Sequence, residues 1–380
     1  MRIVLFTDTF QPQINGVART LARWLTYAST HGHEVALVSP AIPRRPRNLA
    51  TVHIELPSMP VPFYHELRLA VPLDPWSARR LRAFRPDLVH VATEFPVGRS
   101  GLAWAQNEQV PLVTSFHTDF AAYLAGYGLS GFEAHAWRYL RAFHDSARTT
   151  FCPSSATRAQ LLSNGFHERL RIWPRGVDAQ YFHPQRRSGE MRARLAPGAK
   201  TILLYVGRLA PEKRLPVLLD AFEMVNARCA GTALVIVGDG PAAADLHKRN
   251  LPNVHLTGFL TGDDLACAYA SADAFVFPSD TETFGNVIVE AMASGLPVAA
   301  VAQGGVLDTV VPFENGMLTR PGDAAEMAAA ISRLVEDDKL RHRLAHGARS
   351  AAMGRSWDAV FDALFASYHE LAATQVVRVA

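Results

Sequence analysis

The sequence predicts an α/β protein built from two doubly wound, parallel-sheet domains. Three observations carry this expectation. Short apolar runs alternate with stretches of helical period along both halves of the chain. The 380 residues are enough for two domains of ordinary size. Between the halves, Asp178 to Ala199 carries Pro, Arg and Gly and lacks a strand-like run, so a linker is expected there. An apolar content of 49% with 19% charged residues describes a packed chain rather than a disordered one. Cys152, Cys229 and Cys267 lie far apart, which suggests neither a disulfide framework nor a zinc site and fits a reducing compartment. No uninterrupted apolar run reaches the roughly 18 residues of a membrane span. Met1 to Phe6 is too short for a signal sequence and reads as a first buried strand.

In the first half, Ile3 to Thr7 is a strand, Asp8 to Val17 a loop, Val17 to His31 a helix and Glu34 to Ser39 a strand. That order is a βαβ unit and implies parallel pairing. Ligands of such sheets bind at the carboxyl ends of the strands, where Asn15-Gly16 falls. A glycine there lets backbone N–H groups approach a phosphate, although one glycine is equally a simple turn. Pro40 to Pro75, rich in Pro and Arg, is expected to be a long surface excursion with short strands. Ser77 to Arg85 reads as a helix, Asp87 to Ala92 as a strand, Gly98 to Gln106 as a helix and Pro111 to Phe116 as a strand ending at His117. A histidine at that end is placed to reach a substrate or to serve packing. Trp137 to Arg148 is a helix, and Thr150 to Pro153 a strand running into Ser154, which caps the next helix.

The second half repeats the alternation, with strands at Thr201–Val206, Leu234–Val237, Val254–Leu256, Ala274–Phe277 and Val298–Val301. Helices are expected at Ala324–Glu336, after a turn at Thr319–Asp323, and at Trp357–Thr374. The last helix spaces Trp357, Phe361, Leu364, Phe365 and Tyr368 for packing, and a bridging role between the domains is expected of it.

Chemistry concentrates between Pro278 and Gly305, PSDTETFGNVIVEAMASGLPVAAVAQGG. A strand ends there and a helix begins near Gly285, with Glu290 inside an apolar run. An ionised carboxylate among apolar neighbours is costly unless it is paired or binds something. Seven residues separate Glu282 from Glu290, which puts the first at the rim of the helix N-terminus and the second about two turns in. The open N–H groups of a helix start favour an anion. Phosphate plus two acceptors for hydroxyl groups fits a nucleotide sugar, although one glutamate in a helix can be no more than a solvated face. Arg208, in Gly207-Arg208-Leu209, and Lys213 follow the first strand of this half and suit a diphosphate whose charge grows as it departs. A second glycine-rich turn is Val237-Gly238-Asp239-Gly240.

The chain resembles retaining glycosyltransferases of family 4, which have the GT-B fold. The resemblance covers essentially the whole sequence: FTDTFQPQINGV at 6–17, SFHTDF at 115–120, VGRLAPEK at 206–213, VGDG at 237–240 and PSDTETFGNVIVEAMASGLPV at 278–298. The last is the most specific, since it carries the family's paired glutamates at the right separation. The ensemble looks most like the bacterial lipid and α-mannosyl transferase branch. The resemblance implies two facing Rossmann-like domains with a cleft between them. Residues 1–178 would bind acceptor, 179–356 the nucleotide sugar, and 357–380 would form a C-terminal helix packing back on the first domain. It implies that Arg208 and Lys213 hold the diphosphate, Glu290 the ribose hydroxyls and Glu282 the sugar hydroxyls. Backbone groups at Phe284, Gly285, Asn286 and Val287 would meet the sugar and phosphates, with Gly238 among the donor-binding residues. Gly16 would meet the phosphate, His117 would lie near the transferred sugar, and the base would rest by Phe259-Leu260. It further implies transfer with retention by front-face attack, without a protein nucleophile and without metal. The nearest thing to a D-x-D motif is Asp280-Thr281-Glu282.

GDP-mannose is the leading donor expectation. The stretch Leu260 to Leu265 departs from the guanine-reading pattern of the phosphatidylinositol mannosyltransferases, so UDP-glucose, UDP-glucuronate or a UDP-sulfosugar is the alternative. Two other classes are weighed. A dinucleotide oxidoreductase is disfavoured because no G-x-G-x-x-G follows either first strand. A catalytically dead binding module is disfavoured by the intact set Arg208, Lys213, Glu282 and Glu290. The net charge of +3 is uneven: residues 1–178 hold 19 Arg, no Lys and 13 acids, giving +6, and the remainder 19 basic and 22 acidic residues, giving −3. The basic helix near Arg79, Arg80, Arg82 and Arg85, beside Trp76, Leu81 and Phe84, can rest on an anionic membrane or be an ordinary solvated helix. The expected partners are therefore a nucleotide-sugar donor, a lipid or glycan acceptor and an anionic membrane surface, with no nucleic acid. The expected location is the cytoplasm or the inner face of the cell membrane.

Overall fold

The computed structural model describes residues 1–13, 15–42, 48–61, 64–121 and 130–373. The chain divides into two compact units. The first holds Met1–Ala121, Gly131–Pro174 and the C-terminal residues from Asp358; the second includes Arg175–Trp357.

The first unit is a seven-stranded sheet in the order β3-β2-β1-β6-β7-β8-β9. Its strands are β1 (Arg2–Phe6), β2 (Glu34–Pro40), β3 (Val52–Leu56), β6 (Leu88–Val91), β7 (Leu112–Ser115), β8 (Thr149–Cys152) and β9 (Leu170–Ile172). Every pairing is parallel. Such strands are apolar throughout because helices cover both faces; β1, for instance, buries Ile3, Val4, Leu5 and Phe6. Within the expected excursion, β3 joins the main sheet, and β4 (Ser58–Val61) pairs with β5 (Tyr64–Ala70) as an antiparallel hairpin.

The second unit is a six-stranded parallel sheet in the order β12-β11-β10-β13-β14-β15. Its strands are β10 (Thr201–Val206), β11 (Thr232–Val237), β12 (Val254–Gly258), β13 (Ala274–Phe277), β14 (Val298–Val301) and β15 (Gly316–Thr319). Strand β15 is an addition to the sequence expectation, which had only a turn from Thr319; its four residues include Gly316 and give no alternation to read. Helix Asp338–Met353 was also unforeseen, because only Leu340, Leu344, Ala348 and Ala352 of its sixteen residues are buried.

The expected linker at 178–199 needs correction. It contains a helix, Gly189–Leu195, capped by the Ser188 hydroxyl, and Met191 and Leu195 enter the core of the second unit. Arg187 and Arg192 both pair with Asp273 and fasten the segment to that unit. Seven residues with two apolar anchors are too short for a periodic signal.

The C-terminal helix, Trp357–Ala373, buries Phe361, Leu364, Phe365, Tyr368 and Leu371. Phe365 stacks on Trp24 at 5.7 Å, and the Tyr27 hydroxyl bonds Asp362. At the centre, fully buried His90 of β6 hydrogen-bonds the Ser115 hydroxyl at 2.6 Å through Nε2 and the Tyr368 hydroxyl at 2.7 Å through Nδ1. Burial alone pushes the His90 pKa from 6.5 down to about 3. The folded chain then binds fewer protons than the unfolded chain between those values, so stability is lost as pH falls through that window. Removing the group flattens this slope, which is at most about 1.4 kcal/mol per pH unit. In chemical denaturation at pH 7 and pH 4.5, His90→Gln should lose less stability between the two than the native chain; equal losses would refute the assignment.

Candidate active site

In the second sheet the strand order reverses between β10 and β13, which are direct neighbours. The crevice outside the carboxyl ends at such a switch is where α/β sheets bind ligands. The loops leaving these two strands carry the two opposite charges that sequence analysis singled out. Lys213 ends the short turn Pro211–Lys213 after β10, and Glu282 lies in the loop after β13. The Lys213 ammonium donates to Glu282 Oε1, with only 16% and 14% of the two side chains exposed. Ser279 Oγ donates to the same Oε1 at 3.1 Å. The hydroxyls of Ser279 and Thr281 reach the Glu212 carbonyl at 3.5 and 3.3 Å, and Arg214 pairs with Asp280 at 3.0 Å, so the two loops are laced together. An ion pair this far from water adds little net stability. Its placement at the switch is the stronger fact.

The loop after β14 comes up against the β13 loop from the other side. Gly305 donates its N–H to the Glu282 carbonyl at 2.8 Å. A β-carbon at Gly304 would stand 2.2 Å from that oxygen, and one at Gly305 would stand 2.5 Å from Phe284 Cα. Both positions exclude any side chain. Phe284 is buried in the core, and Gly285, at φ +89, caps helix Asn286–Ala293 without a side-chain hydrogen bond. Asn286 and Val287 open that helix and are half-buried. Glu290 is its fifth residue, one turn in rather than the expected two, because the helix begins after Gly285. Tyr269 donates its hydroxyl to Glu290 Oε2 at 3.1 Å.

Three further buried acceptors border these loops. Glu212 Oε2, Asp280 Oδ1 and Asn286 Oδ1 have no hydrogen-bond partner among the described residues. Buried acceptors without donors are costly; a ligand rich in hydroxyl groups would satisfy them. Arg208 is half-buried, and its carbonyl accepts from the Tyr205 hydroxyl at 3.1 Å. Gly238, at φ +141, allows the β11 loop to pass over the β10 loop, since a β-carbon there would lie 1.9 Å from the Gly207 carbonyl oxygen. Phe259 is 65% exposed just beyond β12. Leu260 lines a cavity of about 440 Å³ along that edge strand; the other expected site residues do not border it.

Two expected residues belong to the first unit. Gly16 is the first residue of helix Gly16–Thr30, whose cap is Asn15 Oδ1 accepting from the Ala18 N–H at 2.8 Å. His117 follows β7, is buried and meets Trp173 edge-on at 5.3 Å. Asp8, noted in the sequence only as the start of a loop, proves to be an organiser of this unit. It accepts from Thr93 Oγ1 at 2.7 Å and from the N–H groups of Val97 and Gly98 at 2.8 and 3.2 Å. Burial, outweighing those bonds, pushes its pKa up to about 6. Nearby, buried His144 meets Glu94 at 3.3 Å and Thr114 Oγ1 at 2.9 Å. Partnerships across 20 or more residues leave no local signal. The same holds for Tyr269 and Glu290 in the second unit, whereas Ser279 and Gly304-Gly305 were within reach, lying inside the stretch already singled out.

Residues 187–351 match the family model described as glycosyl transferases group 1, and residues 14–181 match the model for glycosyltransferase family 4. The chain belongs to the family 4 glycosyltransferases and is a hexosyltransferase by class. A GDP-mannose-dependent alpha-mannosyltransferase of Mycobacterium tuberculosis is 36% identical, the alignment covering 100% of this chain and 99% of the relative. A protein of the same name from Corynebacterium glutamicum is 32% identical over 98% of this chain and 90% of its own length. A sulfoquinovosyl transferase of Arabidopsis thaliana is 33% identical over 94% of this chain and 71% of the relative. Among solved structures, a sucrose-phosphate synthase from Thermosynechococcus elongatus superposes with a TM-score of 0.81 at 23% identity, covering 98% of this chain and 100% of that one. Anabaena HepE in complex with UDP and glucose gives 0.76 at 20% identity, covering 97% and 99%. These likenesses establish the GT-B fold, in agreement with the sequence expectation.

Proposed function

We propose that this hexosyltransferase moves mannose from GDP-mannose to a lipid or glycan acceptor, with retention of configuration and without a metal ion. The observation that carries the reading is the largely buried Lys213–Glu282 pair at the β10/β13 switch point, on loops that also carry buried acceptors with no donor among the described residues. Lys213 and Arg208 supply cationic charge for the departing diphosphate, the task a metal performs elsewhere. The uncapped start of helix Asn286–Ala293 offers N–H groups to the same phosphates. Glu282 takes sugar hydroxyls and Glu290 the ribose. In the step itself the bond from sugar C1 to the phosphate oxygen breaks, with its electrons leaving on the diphosphate. The acceptor oxygen bonds C1 on the same face and passes its proton to that phosphate oxygen. The mannosyl choice rests on the relatives named as GDP-mannose-dependent, and the sulfoquinovosyl relative keeps the uridine series as the alternative donor.

GDP-[14C]mannose with bacterial lipid extract and excess EDTA tests this directly. Label should enter an α-linked product, and Lys213→Ala should cut incorporation by roughly 100- to 1,000-fold, the cost of removing one transition-state donor. Loss of activity in EDTA, or transfer only from UDP-sugars, would overturn the metal or the donor assignment respectively.

The first unit carries a surface suited to an anionic membrane, and we assign it that contact. Met59 and Leu69 are cross-strand partners on the β4–β5 hairpin, and both are exposed, as is Val71. The chain leads directly into helix Pro75–Phe84, where Trp76 is 67% exposed beneath the Arg80 guanidinium at 4.9 Å. Arg79, Arg80 and Arg85 face solvent. Apolar tips among arginines match an interfacial anchor. The protein should co-sediment with phosphatidylglycerol-containing vesicles, and the double variant Trp76→Ser, Arg80→Glu should remain in solution. Equal behaviour with pure phosphatidylcholine would remove the claim.

A further inference from the structure

Glu290 does not hold its direction alone. Tyr269, fully buried in helix Gly262–Ser271, donates its hydroxyl to Oε2 at 3.1 Å. Its ring is fixed edge-on against Phe182 at 5.6 Å and tilted against Phe275 at 6.0 Å. Phe182 in turn is held by its carbonyl, which accepts from Arg349 Nη1 at 3.0 Å. The same nitrogen donates to Ala179 O at 2.9 Å and to Ala293 O, the last residue of the helix that bears Glu290. One guanidinium therefore ties down both the helix carrying the carboxylate and the ring whose hydroxyl orients it. Neither β13 nor the switch-point loops supply Tyr269; it comes from the helix that follows Phe259-Leu260.

We propose that Tyr269 is the positioning residue of the donor's ribose-binding carboxylate, acting through Glu290; the inference rests on the donor-site reading above. A hydrogen bond to the ionised form of a carboxylate stabilises that form and fixes which lone pairs remain for a ligand. Holding Oε2 from the protein side aims the carboxylate at a vicinal diol, the chemistry of a ribose with both hydroxyls present. The tyrosine touches no reacting atom, so its loss falls on donor binding rather than on the chemical step.

The test is Tyr269→Phe, which keeps the buried ring and deletes only the hydroxyl. Donor KM should rise roughly three- to tenfold, the range of one hydrogen bond, while kcat and thermal midpoint stay near native. In a cycle with Glu290→Gln the two losses should be non-additive, the tyrosine change having little further effect once the carboxylate is gone. A second readout is unmoved by mere packing: the preference for a nucleoside diphosphate over its 2′,3′-dideoxy counterpart should shrink in Tyr269→Phe. If Glu290→Gln raises donor KM but Tyr269→Phe changes neither KM nor that preference, or if the two losses simply add, the inference is wrong. If Glu290→Gln itself leaves donor KM unchanged, the donor-site reading fails and takes this inference with it.

Discussion

The candidate site of the second unit is organised around one electrostatic contact, the pairing of Lys213 with Glu282 across the loops of β10 and β13. A parallel sheet whose order reverses leaves its two central strands ending side by side with their crossovers departing in opposite directions. The gap must be closed by the loops themselves. Here it is closed by charge and hydroxyl groups rather than by apolar packing: the lysine, the glutamate, Ser279 and Thr281 on the Glu212 carbonyl, and Arg214 on Asp280. Gly304 and Gly305 then press the β14 loop against the backbone of the glutamate loop at distances no side chain allows. A surface so polar and so tightly backed holds its shape before a ligand arrives, which is what stabilising a developing charge requires.

The first unit solves a different problem. Its central buried polar groups, His90 and Asp8, serve cohesion. His90 ties β6 and β7 to the C-terminal helix, and Asp8 holds the turn into helix Pro96–Asn107 by two backbone N–H groups. Gly98 belongs to the same device, since a β-carbon there would lie 1.7 Å from the Thr93 carbonyl oxygen. Its outward chemistry lies instead on the β4–β5 hairpin and helix Pro75–Phe84, where apolar tips and arginines share solvent.

Much of this architecture is legible in the amino-acid sequence. Buried parallel strands such as Ala274–Phe277 and Val298–Val301 appear as continuous apolar runs and were located residue for residue. The segment from Pro278 to Gly305 was singled out because Glu290 breaks its local pattern, and it does contain the carboxylates, the helix start and the glycines of the candidate site. What stayed hidden had no local signature. Helix Gly189–Leu195 is one of two apolar anchors in seven residues, and β15 is four residues with a glycine at its head. The helix start near Gly285 was legible, but the depth of Glu290 was overestimated because it was counted from Glu282, and the residues between Glu282 and Gly285 are loop rather than helix. Partners such as Tyr269 for Glu290, or Glu94 for His144, depend on topology rather than spacing.

The central claim is that the β10/β13 switch point holds a nucleoside diphosphate sugar through Lys213, Glu282 and Glu290. Titration calorimetry of the native protein and of Lys213→Ala with GDP, GDP-mannose, UDP, UDP-glucose and NAD, without added metal, tests it most directly. The account predicts saturable binding of GDP and GDP-mannose that the lysine substitution weakens strongly. Tight binding of NAD alone, or GDP affinity untouched by Lys213→Ala, would contradict it.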